Sequence, residues 1–146
     1  MPAISILKKA SSRDLKDLNV LMDQMSRSAH SAHRLSLAEL RGVLRDKNVT
    51  VLVVRDGKRI IATGTLTAIP TMIGMRGRLE DVVVDEGYRG KGLGEKISRY
   101  LLVLAKKKKA ISIELTSHPS RAAAIALYEK IGFKKHETNV YRLPLA

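Results

Sequence analysis

With 146 residues and no cysteine, the chain is long enough for one domain with one core, and it excludes disulfides and cysteine nucleophiles. Aromatic residues make up only 3%, so the core must be aliphatic, and no apolar run approaches the ~20 residues of a membrane helix. The 27 Lys and Arg against 14 Asp and Glu leave a net charge of +13, which attracts anions: nucleic acid, an acidic surface or a phosphorylated ligand.

In chain order, Ile4, Ile6 and Leu7 predict a short first strand. Ser11-Ser12-Arg13-Asp14 has capping-box character, and Leu15, Leu18, Met22 and Met25 follow at helical spacing. Ser36-Leu37-Ala38-Glu39 is a second capping box, opening a helix that turns Leu40, Val43 and Leu44 inward. Val49 to Arg55 and Arg59 to Ile69 read as two strands joined by the hairpin signal Asp56-Gly57. Arg78 to Val84 is a strand, Leu93, Ile97, Leu101 and Leu104 mark one face of a helix, and Ile111 to Thr116 is the next strand. That order makes a crossover, so the two strands are expected to be parallel. Lys106 to Lys109 fits a helix end, where cations complement the dipole. Ser120 is placed as the cap of a last helix through Ala123, Leu127, Tyr128 and Ile131, stopped by Gly132. Phe133 to Leu143 is expected to form two short strands or one bent hairpin.

The chemistry concentrates where the Arg78 to Val84 strand becomes a helix, in Arg89-Gly90-Lys91-Gly92-Leu93-Gly94. Glycines there let the backbone approach a ligand and take positive φ. Amides at the helix N-terminus point at an anion, and Arg89 and Lys91 add full positive charge. The turn suits a pyrophosphate. Two better-known phosphate motifs fail. The dinucleotide fingerprint needs glycine where Glu95 stands, and the triphosphate loop needs Ser or Thr where Gly92 follows Lys91. A glycine turn also arises for backbone reasons alone, so it needs a second landmark.

That landmark is Leu127-Tyr128-Glu129-Lys130-Ile131-Gly132-Phe133. With the glycine turn it resembles the GNAT superfamily of N-acetyltransferases, whose core pattern Arg/Gln-x-x-Gly-x-Gly/Ala is met by Arg89 to Gly94. Glu80-Asp81-Val82-Val83-Val84-Asp85 with Tyr88 to Lys91 is also locally similar to glucosamine-phosphate N-acetyltransferases. The resemblance implies an α/β (α+β) fold over residues 1–146 as a single domain. It would hold a mixed, mostly antiparallel sheet of six or seven strands with a central splayed parallel pair, flanked by about four helices. It implies acetyl-coenzyme A as donor and no metal. Val82 and Val84 would give main-chain contacts to the pantetheine arm, in a cleft opening after Val84 and Thr116. The Val83 amide would polarise the thioester carbonyl, and the amides of Arg89, Gly90, Lys91, Gly92, Leu93 and Gly94 would hold the pyrophosphate. Arg121 stands where many members carry Asn, and is expected to reach the cofactor's phosphates instead.

An amine acceptor must lose a proton before it attacks. Glu80 is the expected base, because strand alternation puts it on one face with Val82 and Val84, while Asp81 faces away. A solvated carboxylate paired with Arg78 is the competing reading of Glu80. Tyr128 is expected to give a proton to the departing thiolate; a core tyrosine at helical spacing is its competing reading. His30-x-x-His33 has neither cysteine nor carboxylate at metal-site spacing, so no metal is expected, and a substrate contact or a plain loop remains open for it. The expected partners are a small-molecule or peptide amine, and a homodimer by resemblance, in the cytoplasm and without a membrane. The alternative is a basic nucleic-acid-binding protein acting through general charge, which lacks aromatic interleaving for base stacking.

Overall fold

Both capping boxes form. Ser11 Oγ accepts from the Asp14 amide and Asp14 Oδ2 accepts from the Ser11 amide, each at 3.1 Å, which starts α1 (Ser12–Met25). Ser36 and Glu39 repeat the exchange at 3.1 and 3.2 Å ahead of α2 (Leu37–Arg45). The computed structural model describes residues 2–25 and 34–146, so His30 and His33 lie outside the described residues. The chain divides into two units, Met1–Thr116 and Ser117–Ala146.

The first unit holds one mixed sheet in the order β1-β2-β3-β4-β5: β1 (Ala3–Ile6), β2 (Val49–Asp56), β3 (Arg59–Thr71), β4 (Gly74–Val84) and β5 (Ser112–Glu114). The first three pairings are antiparallel, and β4 with β5 is parallel through the crossover helix α3 (Leu93–Lys107). The expectation of six or seven strands is therefore corrected to five among the described residues. A strand exists by its ladder, and the tail finds none: beyond Phe133 its backbone bond is a local turn, Thr138 N to His136 O at 3.0 Å. The central hairpin is longer than predicted. β3 continues through Pro70 to Thr71, and β4 begins at Gly74 after the two-residue turn Met72-Ile73.

The two faces of the sheet bury different layers. Val51, Val53, Ile60 and Val83 pack with Leu18 and Leu21 of α1 and Leu40 of α2. On the opposite face Val82 meets α3 at Gly64, where an added methyl would lie 2.5 Å from Ile97 Cγ2, 3.3 Å from Leu101 Cδ1 and 3.4 Å from Val82 Cγ2. Glycine at this strand position is thus a close-approach device that seats α3 on β3. No described helix is long and apolar enough to cross a membrane.

The second unit contains α4 (Ala122–Lys130). Arg121, not Ser120, is its N-cap, with no side-chain cap bond. Ser120 is drawn off by His118, whose Nδ1 lies 2.7 Å from Ser120 Oγ and accepts from the Ser120 amide at 3.1 Å.

Candidate functional site

β4 carries a β-bulge. Between the pairs Thr65–Glu80 and Thr63–Val83, β3 advances by two residues and β4 by three. Asp81 absorbs the extra residue in the left-handed region, at φ 53. The bulge overturns the simple alternation expected for this strand. Glu80 pairs with Thr65 and Val83 with Thr63, so both face the α1–α2 layer, whereas Val82 faces α3. Glu80 therefore does not share a face with Val82. Its Oε1 accepts from Arg78 Nε at 2.7 Å, and Arg78 also stands 3.9 Å from Glu114. Desolvation, then the Glu80 charge, pushes the Asp81 carboxyl up; the residue keeps solvent contact, which limits the rise.

Pairing between β4 and β5 covers only Arg76–Ser112, Gly77–Ile113 and Arg78–Glu114. From Leu79 to Val84 the strand has its ladder with β3 alone among the described residues. The parallel pair thus parts after Arg78 and Glu114, earlier than Val84 and Thr116. Thr116 lies exposed beyond β5. Val84 O accepts from Arg89 Nε at 3.0 Å.

The chain then turns through a short 3-10 segment, Glu86–Tyr88, into the glycines. Gly90 and Gly92 take φ values of 78 and 80, and a methyl on either would meet no atom within 4 Å. Both glycines are required by conformation, and the space above them is open. Gly92 is the N-cap of α3 and offers no side chain to the helix end, which leaves the positive pole of a 15-residue helix uncapped by its own residue. Arg89 and Lys91 are exposed beside it. These features fit a diphosphate.

The turn is held by Asp85, Gln24, Arg59, Tyr88 and Asp56, in roles that the sequence alone does not reveal. Asp85 is buried; its Oδ1 accepts from Gln24 Nε2 at 2.9 Å and Arg59 Nη2 at 3.1 Å, and its Oδ2 accepts from the Gly87 amide at 3.1 Å. Gln24 Oε1 also accepts from the Glu86 amide at 2.9 Å, so the end of α1 grips the turn twice. Tyr88 donates to Asp56 in the β2–β3 turn, a bond that raises its phenol pKa, and Lys91 Nζ lies 5.3 Å above the Tyr88 ring. An Asp two residues before a glycine was the readable sign of a local cap. Gln24 and Arg59 are too distant in sequence to be found that way.

In the second unit the Tyr128 motif is a helix stop. Gly132, at φ 111, donates to Glu129 O at 3.1 Å and Phe133 donates to Tyr128 O at 2.9 Å, the two bonds of a Schellman ending. The accompanying apolar contact is Tyr128 on Phe133, edge-to-face with centroids 5.8 Å apart. Burial pushes the Tyr128 phenol up, and the positive charge of Arg121 partly opposes it. Arg121 and Tyr128 thus belong to one electrostatic group. Among the described residues no group of three or more His, Cys, Asp or Glu is arranged to hold a metal ion.

A family model described as "Acetyltransferase (GNAT) family" matches residues 15–133, so the chain belongs to the GNAT family. It is 34% identical over 94 residues to an uncharacterized N-acetyltransferase, YobR, of Bacillus subtilis, covering 64% of this chain and 36% of that protein. It is 31% identical over 119 residues to glucosamine 6-phosphate N-acetyltransferase 1 of rice (Oryza sativa), covering 77% of this chain and 70% of the relative. Among solved structures, an acetyltransferase of Trypanosoma brucei superposes with a TM-score of 0.80 at 28% identity, covering 99% of this chain and 100% of that one.

Proposed function

We propose that the protein transfers the acetyl group of acetyl-coenzyme A to a primary amine by direct attack in a ternary complex. The carrying observation is the open, uncapped turn at Gly90 and Gly92 on the end of β4 that β5 leaves unpaired. Acetyl-coenzyme A supplies an activated thioester. The edge of Val82 to Val84 pairs with its amide arm as an added strand would, and the Val83 amide faces the carbonyl that gains charge. The amides from Arg89 to Gly94 take the pyrophosphate, with Arg121 and Thr116 as further cofactor contacts. Arg89 must first leave Val84 O, which frees that carbonyl as well.

The amine loses its proton to a carboxylate at the bulge. We assign this base to Glu80 from the face it shares with Val83, whose amide meets the thioester carbonyl, acting directly or through a water, with Arg78 to be displaced from it. As the carbon–sulfur bond breaks, Tyr128 gives its proton to the leaving thiolate; its raised pKa keeps that proton in place at neutral pH. No covalent enzyme intermediate forms. The favoured acceptor is an anionic amine such as an amino-sugar phosphate: the net charge of +13 attracts it, and the rice relative acts on glucosamine 6-phosphate. A cytoplasmic homodimer completes the reading.

Calorimetric titration with acetyl-coenzyme A tests the donor, and no binding below the millimolar range overturns it. Product mass after incubation with glucosamine 6-phosphate, or with a peptide bearing a free N-terminus, tests the acceptor. Acetylation of the peptide alone refutes the sugar phosphate.

A further inference from the structure

The far end of the first unit carries an exposed apolar tip that the transfer reaction does not use. At the β3–β4 turn Met72 is 105% exposed and Ile73 68%. A two-residue hairpin loop normally takes Asn, Asp or Gly. Neither Met72 nor Ile73 has the positive φ that would explain the turn; Thr71 holds it instead, its Oγ1 donating to Gly74 O at 2.6 Å. The turn's backbone thus makes no demand for these two apolar side chains.

The tip is ringed by positive charge. Ile111, exposed beside it, contacts the Gly74 position, and its amide donates to Met75 O at 2.8 Å; Lys106 to Lys109 precede it, with Ala110 between. Lys108 Nζ donates to Lys47 O at 3.3 Å, which brings Lys47 to the same end. Arg76 is the cross-strand partner of exposed Ile69. The carboxylates on these segments are engaged: Asp46 caps the Asn48 amide at 2.8 Å, and Glu114 stands 3.9 Å from Arg78.

We propose that this end docks on an anionic lipid surface, Met72 and Ile73 entering the acyl boundary while Lys47, Arg76 and Lys106 to Lys109 meet the headgroups. A narrow convex tip suits a surface that yields around it, and apolar insertion plus basic charge is the pair of signals that holds a protein on acidic lipid. A second copy would set like charge against like charge. A nucleic acid would meet the basic groups here but find no aromatic platform on which its bases stack. This departs from the expectation of no membrane partner, and it is independent of the transfer reaction. α3 alone separates the lysines from the glycine turn by about 22 Å at 1.5 Å per residue.

The test is sedimentation of the intact protein with phosphatidylglycerol-containing vesicles and with pure phosphatidylcholine vesicles. Binding is expected to the acidic vesicles only. The double variant Met72→Ser/Ile73→Ser should lose about tenfold or more of that binding, with an unchanged melting temperature and unchanged acetyl-coenzyme A affinity. Lys106→Glu/Lys109→Glu should lose it as well. The proposal is overturned if the acidic vesicles bring down no protein, or if the serine variant binds like the parent. Binding to heparin but not to vesicles overturns it too, in favour of a soluble polyanion.

Discussion

Replacing Gly64 by Ala puts a methyl 2.5 Å from Ile97 Cγ2, where carbon atoms prefer about 3.5–4.0 Å. Ile97 cannot swing away. It is fully buried, and a β-branched side chain in a helix has essentially one χ1 rotamer. Overpacking of this kind costs about 1–3 kcal/mol. An unfolding entropy of about 2.1 cal/mol/K per residue gives roughly 0.3 kcal/mol/K for the 146-residue chain, so the melting temperature should fall by about 3–10 °C. The pressure acts on α3, whose first turn is the proposed diphosphate site, so KM for acetyl-coenzyme A should rise as well. Thermal melts of Gly64→Ala, Ile97→Ala and the double variant decide the matter. Ile97→Ala alone leaves a cavity costing about 2–5 kcal/mol. In the double variant the new methyl occupies part of it, and the combined cost should fall short of the sum by about 1 kcal/mol. Strict additivity would refute the idea that these two residues press on each other.

Gly92→Ala forces alanine to φ 80 at a cost of about 1–2 kcal/mol without any clash, and should raise KM for acetyl-coenzyme A far more than it lowers kcat; a pure kcat defect in steady-state kinetics would contradict the diphosphate assignment. Tyr128→Phe keeps the ring that packs on Phe133, so the melting temperature should hold while kcat drops by about 100-fold. Because burial raises the phenol, the parent's kcat should show no alkaline loss from this group until above its ordinary value near 10, and a fall centred near pH 8 that vanishes in the Phe variant would count against it. Asp14 bonds Arg55 at 2.8 Å, and that bond holds its carboxyl below the usual value. Its stabilisation is present above the unfolded pKa of about 3.9 and is lost as pH falls through the folded value. Asp14→Asn should therefore cost about 1–2 kcal/mol at pH 7 and progressively less below pH 4, as read from urea melts. A cost that does not change with pH would show that the charge of Asp14 contributes nothing.

Sequence carried the site further than it carried the sheet. The two capping boxes, the Asp56-Gly57 hairpin and the glycine turn are local devices, and local devices are legible because their partners lie three or four residues away. The bulge at Asp81 is not local: it is defined by where β3 stands, and without it Glu80 was assigned to the wrong face. Phe133 to Leu143 is expected as strand from its own residues, but a strand also needs a neighbour, and no described strand pairs with this segment. Leu127 to Phe133 was legible for a mixed reason. Gly132 and Phe133 are there to end a helix, and Tyr128 is the ring on which Phe133 closes, so a fold requirement keeps the tyrosine's surroundings recognisable whatever its hydroxyl does.

The extra residue in β4 shifts the phase of the strand. Leu79 and Val83, four residues apart, would point the same way on an unbroken strand; here one lies opposite Leu66 and the other joins the α1–α2 layer. Removing Asp81 alone would therefore bring the two halves into step: Glu80, Val82 and Val83 would stand one for one against Thr65, Gly64 and Thr63, each on the face it already shows. What the extra residue supplies is a local bend and a stronger twist at the point where Glu80 meets Val82, so a chain without it would show the same faces along a straighter edge.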